Sequence, residues 1–285
     1  MKYVDVIIDN NSDHTDELYT YGCQFDEVKV GDKVYVPFAR GNKRREGYVF
    51  TVREQLEEPV RGLKHILEID PEVSLTEEAI DTCRWMKRRY LCKFIDGVKC
   101  FTPAGSSSKR GKKRDPLAEK EYVPDQPKEL NPEQKAAMEQ IRTRLSQGEH
   151  RILMIQGVTG SGKTEIYLQA IEEVVASGRL AIMMVPEISR TPQTIQRFLS
   201  RFGKERTAVL HSKLSLGQRY DEWMRIRKGE ASIVIGARSA VFAPSSSRGP
   251  SFWMKNMKLP TSRIRRRSMM RWRLQRAGWV TTKVW

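Results

Sequence analysis

The chain has 285 residues, 39% of them hydrophobic, and a formal net charge of +16. That is room for two domains with cores of their own, and too apolar a composition for a disordered chain. No apolar run approaches the roughly 18 residues of a membrane span, and acids at Asp5 and Asp9 interrupt any apolar leader, so a cytoplasmic protein without a membrane partner is expected. The positive charge points to a polyanionic partner, but it is unevenly placed. Residues 245–285 hold eleven Lys and Arg and no acid, whereas the remainder carries 40 basic and 35 acidic residues, a net of only +5. Cys23, Cys83, Cys92 and Cys100 form no CxxC pair, so reduced thiols are expected rather than zinc or disulfides.

In chain order, residues 1–60 read as short strands: Tyr3–Ile8 alternates, Val34–Phe38 follows a Gly31-Asp32 turn, and Gly47–Val52 follows a basic loop at Arg40–Arg45. From Thr76 the spacing becomes helical, through Ile80, Cys83, Trp85, Met86, Tyr90 and Leu91. Residues 1–102 are therefore expected to be a small β-rich domain. Residues 103–129, with a Gly/Ser run, a basic run at Lys109–Arg114 and several prolines, read as a solvated linker. Beyond Leu130 a helix is expected to about Leu145, then a strand at Ile152–Ile155. The expected order continues with helix Glu165–Ala176, strand Ala181–Val185, helix Thr191–Phe202, strand Thr207–Leu210, helix Leu216–Lys228 and strand Ser232–Ile235. Alternation of this kind is the pattern of an α/β domain with a parallel sheet, here over 130–244.

Between the first of those strands and its helix lies Gly157-Val158-Thr159-Gly160-Ser161-Gly162-Lys163-Thr164, which fits G-x-x-x-x-G-K-[ST]. Glycines let the backbone curl so that successive N–H groups face inward at a helix N-terminus, forming a nest for phosphate. Lys163 is placed to reach the outer phosphates and the Thr164 hydroxyl to ligate Mg²⁺, which makes ATP and Mg²⁺ the expected cofactors. The chemistry also needs an acid at the end of a neighbouring strand. No Asp or Glu occurs after Glu230.

Several segments resemble replication-restart helicases of the PriA type, which belong to superfamily 2. Leu130-Asn131-Pro132-Glu133-Gln134 is similar to the adenine-reading Q motif, which implies that Gln134 bonds the base. Gly157–Leu168 is similar to the Walker A region, Val185–Gln193 to motif Ia, and His211–Ser215 and Gly236–Pro244 to strips beside the DNA track. The resemblance therefore implies a RecA-like ATP-binding lobe with Thr191, Arg238 and Ser239 at the DNA. In the first domain, Tyr19-Thr20-Tyr21, Val36–Ala39 and Lys64 resemble a pocket for the 3′ end of a nascent strand. That implies DNA contacts from Thr20, Tyr21, Ala39 and Lys64; the alternative is that these aromatics are simply core. The family often has Asp where Thr20 stands and Gly where Ala39 stands. It also carries a winged-helix domain ahead of the ATPase lobe, for which 103–129 is too short, and zinc-binding cysteines and a second lobe that this sequence does not show. Implied partners are replication forks, single-stranded DNA, other primosome proteins and single-strand-binding protein.

The motif resemblance ends at Pro244, and the following residues are unusual: four of the six tryptophans lie in 253–285 beside the basic residues. Trp and Met have single codons, so Trp253-Met254-Lys255-Asn256-Met257-Lys258 reads back as TGG ATG AAR AAY ATG AAR. Read one base earlier, the same bases force Asp-Glu and permit Glu-His, the family's metal-binding sequence, at the spacing from Ala243-Pro244 where it is expected. Residues 245–285 are accordingly read as out of frame, against the alternative of a basic, Trp-rich tail for single strands. The function expected is an ATP-dependent 3′→5′ DNA helicase of the replication-restart primosome, inactive as this fragment. The alternative is a non-catalytic fork-binding module with a vestigial nucleotide site; a kinase or transport ATPase accounts for neither Gln134 nor Gly236–Pro244.

Overall fold

In the computed structural model, residues 1–10, 16–56, 58–103, 122–147, 152–158, 160–185, 191–211, 214–244, 252–255 and 279–283 are described. The chain divides into two compact units, Met1–Lys109 and Arg110–Trp285.

The first unit is built on a six-stranded sheet in the order β5-β2-β1-β4-β3-β6. Its strands are β1 (Lys2–Ile8), β2 (Tyr19–Cys23), β3 (Lys33–Phe38), β4 (Lys43–Arg53), β5 (Lys64–His65) and β6 (Glu68–Asp70). Alternation along the strands sends side chains to two faces, and both are covered. Val4, Val6, Ile8, Tyr21, Val34, Val36 and Val49 form one core. Ile7, Tyr48 and Phe50 form another with two helices, α1 (Glu77–Tyr90) and α2 (Phe94–Phe101). Each fully buried side chain of this size contributes roughly 1.5–3 kcal/mol.

Three details differ from the expectation. The basic run at Lys43–Arg45 is strand rather than loop, because Arg45, Arg44 and Lys43 pair with Val36, Pro37 and Phe38. Helix α2 was not anticipated. In α1, Thr76 caps the N-terminus by accepting from Ala79 N–H, and Ile80 and Cys83 are buried as expected. Trp85, Tyr90 and Leu91 are exposed instead, and Leu91 ends the helix in a left-handed conformation at φ 55°.

The second unit follows the expected α/β order closely: α3 (Pro132–Gln147), β7 (Ile152–Gln156), α4 (Lys163–Ala176), β8 (Ala181–Met184), α5 (Thr191–Phe202), β9 (Thr207–Leu210), α6 (Leu216–Arg227) and β10 (Ile233–Gly236). β10 lies between β8 and β9, parallel to both. Apart from Thr207 these strands are apolar, because both faces are covered. Met183, Val209, Ile233 and Ile235 pack with α3, α4 and α5, whereas Ile182, Ala208 and Val234 pack with Ile226 of α6. Ser215 starts α6 with a reciprocal capping box to Gln218. Two short strands complete the pairing. β11 (Phe252–Lys255) lies parallel to β8 at the edge of that sheet, and β12 (Trp279–Lys283) lies parallel to β7. The rest of 245–285, on which the out-of-frame reading bears, lies outside the described residues. Among the described residues, no helix is long and apolar enough to cross a membrane.

Candidate functional site

β7 ends at Gln156, and α4 begins at Lys163, so the Gly-rich run that the sequence reads as a phosphate loop lies between a strand and a helix, as expected. Gly160 and Gly162 take φ of 91° and 76°, a region that costs an L side chain about 1–2 kcal/mol. Gly162 is constrained a second way, since a Cβ there would overlap Gln134 Nε2. It is also the N-cap of α4, and it supplies no side-chain acceptor, which leaves the first turn without a side-chain cap. Lys163 folds back over the loop. Its Nζ donates to the carbonyls of Gly157 and Val158, both at 2.6 Å, and to Ser161 Oγ at 3.3 Å. An incoming phosphate would offer the ammonium stronger acceptors than these carbonyls. Thr164 is half-buried in the first turn of α4, and Thr159 lies outside the described residues.

Gln134 sits in the first turn of α3, and its amide is used at both ends. Oε1 accepts from Asn131 N–H at 2.9 Å, while Asn131 Oδ1 accepts from Gln134 N–H. Nε2 donates to Ser161 O at 2.9 Å. Gln134 thus ties the start of α3 directly to the phosphate loop.

Glu165, one residue beyond Thr164, carries further bonds that were not anticipated. It accepts from Lys128 N–H and Gln169 Nε2, and it pairs with Arg201 of α5 at 3.0 Å. Burial works to raise the Glu165 pKa, but these hydrogen bonds and the guanidinium charge outweigh it and hold the carboxyl below its ordinary range. Burial alone would lower the Arg201 pKa; its bonds to Glu165 and Asp125 hold it above the usual value instead. Among the described residues no group of three or more His, Cys, Asp or Glu is placed to hold a metal. The donor set here is one threonine hydroxyl, which suits Mg²⁺ arriving with a phosphate rather than a resident ion.

Arg238 and Ser239 are exposed in a short 3-10 helix, Arg238–Phe242, directly after β10. The turn is tight because a Cβ at Gly236 would overlap Leu210 O. Thr191 opens α5; its side chain, and all of Pro186–Arg190, Ser212 and Lys213, lie outside what is described. The phosphate loop and the Arg238 turn each follow the C-terminal end of a parallel strand, where α/β sheets place their ligands.

In the first unit, three of the four residues expected at DNA come together. Tyr21 pairs with Lys64 across β2 and β5, and its hydroxyl donates to Pro37 O at 3.2 Å. Lys64 Nζ donates to Ala39 O at 2.7 Å. Tyr19 packs edge-on against Phe38, ring centroids 5.1 Å apart. Tyr21 is 3% exposed and belongs to the core, so burial pushes its hydroxyl pKa up to about 12, with a further contribution from Tyr19. Thr20 turns to the opposite face. There its hydroxyl donates to Asp5 Oδ1 at 2.9 Å, and Arg53 pairs with the other oxygen. Asp5 and Arg53 were missed by the sequence reading. The available signal was a lone acid inside the apolar strand Val4-Asp5-Val6-Ile7-Ile8, which demands partners when buried.

Comparison with known proteins decides the family. Residues 5–103 match the model of the PriA 3′ DNA-binding domain, and residues 127–263 match that of the type III restriction enzyme res subunit. The chain is 53% identical over 136 residues to the replication restart protein PriA of Bacillus subtilis. It is 37% identical over 238 residues to that of Treponema pallidum, and 31% over 225 residues to that of Rickettsia conorii. The chain belongs to the PriA family. Those alignments cover 48%, 80% and 78% of this chain but only 17%, 35% and 33% of the relatives. The match to the res-subunit model continues to residue 263, beyond Pro244, where the motif resemblance ends.

Proposed function

We propose that this PriA-family chain binds MgATP at Gly157–Thr164 and forked or single-stranded DNA through both units, as the ATP-binding front of a 3′→5′ replication-restart helicase. The observation that carries the reading is the loop itself: a Gly-rich turn between a parallel strand and an uncapped helix N-terminus, with Lys163 inside it and Gln134 bonded to it. In this RecA-like arrangement the N–H groups of the loop and the first turn of α4 hold phosphates. Lys163 leaves the carbonyls of Gly157 and Val158 to neutralise the outer phosphate charge. Thr164 offers a hydroxyl to Mg²⁺, which supplies the charge that stabilises phosphoryl transfer. Thr191, Arg238, Ser239 and Lys64 are proposed contacts to the DNA backbone, which predicts sequence-independent, salt-sensitive affinity.

The carboxylate of the metal site is the missing part, and β11 bears on it. Phe252–Lys255 is a strand beside β8, and the shifted codon reading puts Asp-Glu at positions 254 and 255, the last two of that strand. This supports a slipped frame after Pro244. With no acid after Glu230, turnover by the chain as written is expected to be slow, because a metal carboxylate contributes orders of magnitude. The same fact favours the second reading, a fork-binding module with a vestigial nucleotide site.

Titration calorimetry with MgATP, and ATPase assays with and without forked DNA, test both. Lys163→Ala is expected to weaken MgATP binding at least about tenfold without lowering the melting temperature. MgATP binding that is absent in the folded wild type would sink the motor reading. Fork affinity without any DNA-stimulated turnover would leave only the second.

A further inference from the structure

Residues 122–130 form no helix or strand, yet they are fastened at several points to the ends of α4 and α5. Tyr122 packs on the core formed by these helices, and Leu130 is buried in it. Asp125 N–H donates to Ser200 O at 2.8 Å. Lys128 N–H donates to Glu165 Oε1, and Lys128 O accepts from Gln169 Nε2 at 2.9 Å. The segment then runs through Asn131 into Gln134, whose amide holds the phosphate loop at Ser161 O. It is a strap with one end at the loop and the other at Arg201.

Arg201 organises that far end. Its side chain is only 2% exposed. Nη2 donates to Asp125 Oδ2 at 3.1 Å, to Gln126 O at 3.0 Å and to both Glu165 oxygens at 3.0 and 3.1 Å. Nε and Nη1 are buried without a hydrogen-bond partner among the described residues. A buried ion pair adds little net stability, because desolvation offsets the attraction; what it does well is select one arrangement. Here the arrangement selected joins the strap, α5 and the residue directly after Lys163-Thr164.

We infer that Arg201, acting through Glu165 and Asp125, is a positioning residue for the base side of the bound nucleotide. It fixes the strap that carries Gln134, and so sets where the amide of Gln134 lies relative to the phosphate loop. The phosphate cradle itself is made by the loop's own backbone and, among the described residues, is hydrogen-bonded to Gln134 only through Ser161 O. Purine recognition and phosphate affinity therefore depend on Arg201 to different degrees. This rests on the nucleotide reading of Gly157–Thr164.

The test is calorimetry on the full chain with Mg-bound ATP, GTP and inorganic tripolyphosphate as separate ligands. Arg201→Lys keeps the charge but loses the geometry that bonds strap and Glu165 together. It is expected to weaken ATP about tenfold and reduce the preference for ATP over GTP, while tripolyphosphate stays within about twofold. Asp125→Asn, on the half-exposed side of the pair, is expected to move ATP in the same direction by a smaller factor, and it decides the matter if Arg201→Lys does not fold. The inference is overturned if ATP and tripolyphosphate weaken together as the melting temperature drops, if neither changes, or if the wild type does not prefer ATP to GTP. A folded wild type that ignores tripolyphosphate overturns the phosphate-loop reading instead.

Discussion

Ala39 closes β3 with φ of 57°, a left-handed conformation in which an L side chain meets its own backbone. The PriA-like pattern of glycine at this position follows from that angle, since glycine adopts it without strain. Ala39→Gly is expected to raise stability by up to about 1 kcal/mol, the strain relieved less the added freedom of the unfolded chain. A shift of the urea midpoint to higher concentration with an unchanged slope checks this; a shift to lower concentration contradicts it. Thr20 departs from the pattern for a reason one strand away. Asp5, 4% exposed, lies opposite it in the β1–β2 register. An Asp at 20 would replace the hydroxyl that now donates to Asp5 with an acceptor and leave Asp5 Oδ1 without that donor. Threonine bonds the buried charge instead of competing with it.

At the scale of elements, α4 does two jobs from its first turn. Its backbone faces the phosphate loop, and Glu165 on the same turn holds the strap and α5. The lowered Glu165 pKa makes that link pH-dependent in a definite direction. A carboxyl held below its ordinary value of 4.5 contributes stability that is fully present above that pH and is lost as pH falls through the lowered value. Glu165→Gln is therefore expected to be less stable than wild type at neutral pH, with the gap closing below pH 4.5. Urea midpoints of both proteins measured from pH 7 downward decide it; a gap constant with pH would assign the loss to packing rather than charge.

For the whole molecule, the charge that suggests a nucleic-acid partner is concentrated where the codon reading places a different frame. Without residues 245–285 the chain is only mildly basic, at +5. On the proposed reading, DNA affinity then rests on local contacts such as Lys64 and Arg238 rather than on a general field. Sequencing the gene across codons 244–254 is expected to reveal a one-base slip that restores Asp-Glu at 254 and 255. An unbroken, well-covered frame there would make the basic tail genuine and remove the argument for a hidden metal site.

The sequence alone was sufficient for the second unit's element order, since short, largely apolar runs alternating with amphipathic helices admit few other folds, and for placing the Gly-rich run between β7 and α4. It also placed the PriA resemblance on residues that lie together, Tyr21 with Lys64 and Ala39. It did not give α2, the strand character of Lys43–Arg45, the turn of Thr20 onto Asp5 on the opposite face of the sheet, or the joining of Asp125, Glu165 and Arg201. The last two depend on residues 15 to 76 positions apart, as in Asp5 with Thr20 and Asp125 with Arg201. Local periodicity records which face of an element is apolar; which buried charge meets which partner is settled only when the elements pack, because a desolvated charge is tolerable only beside the group that compensates it.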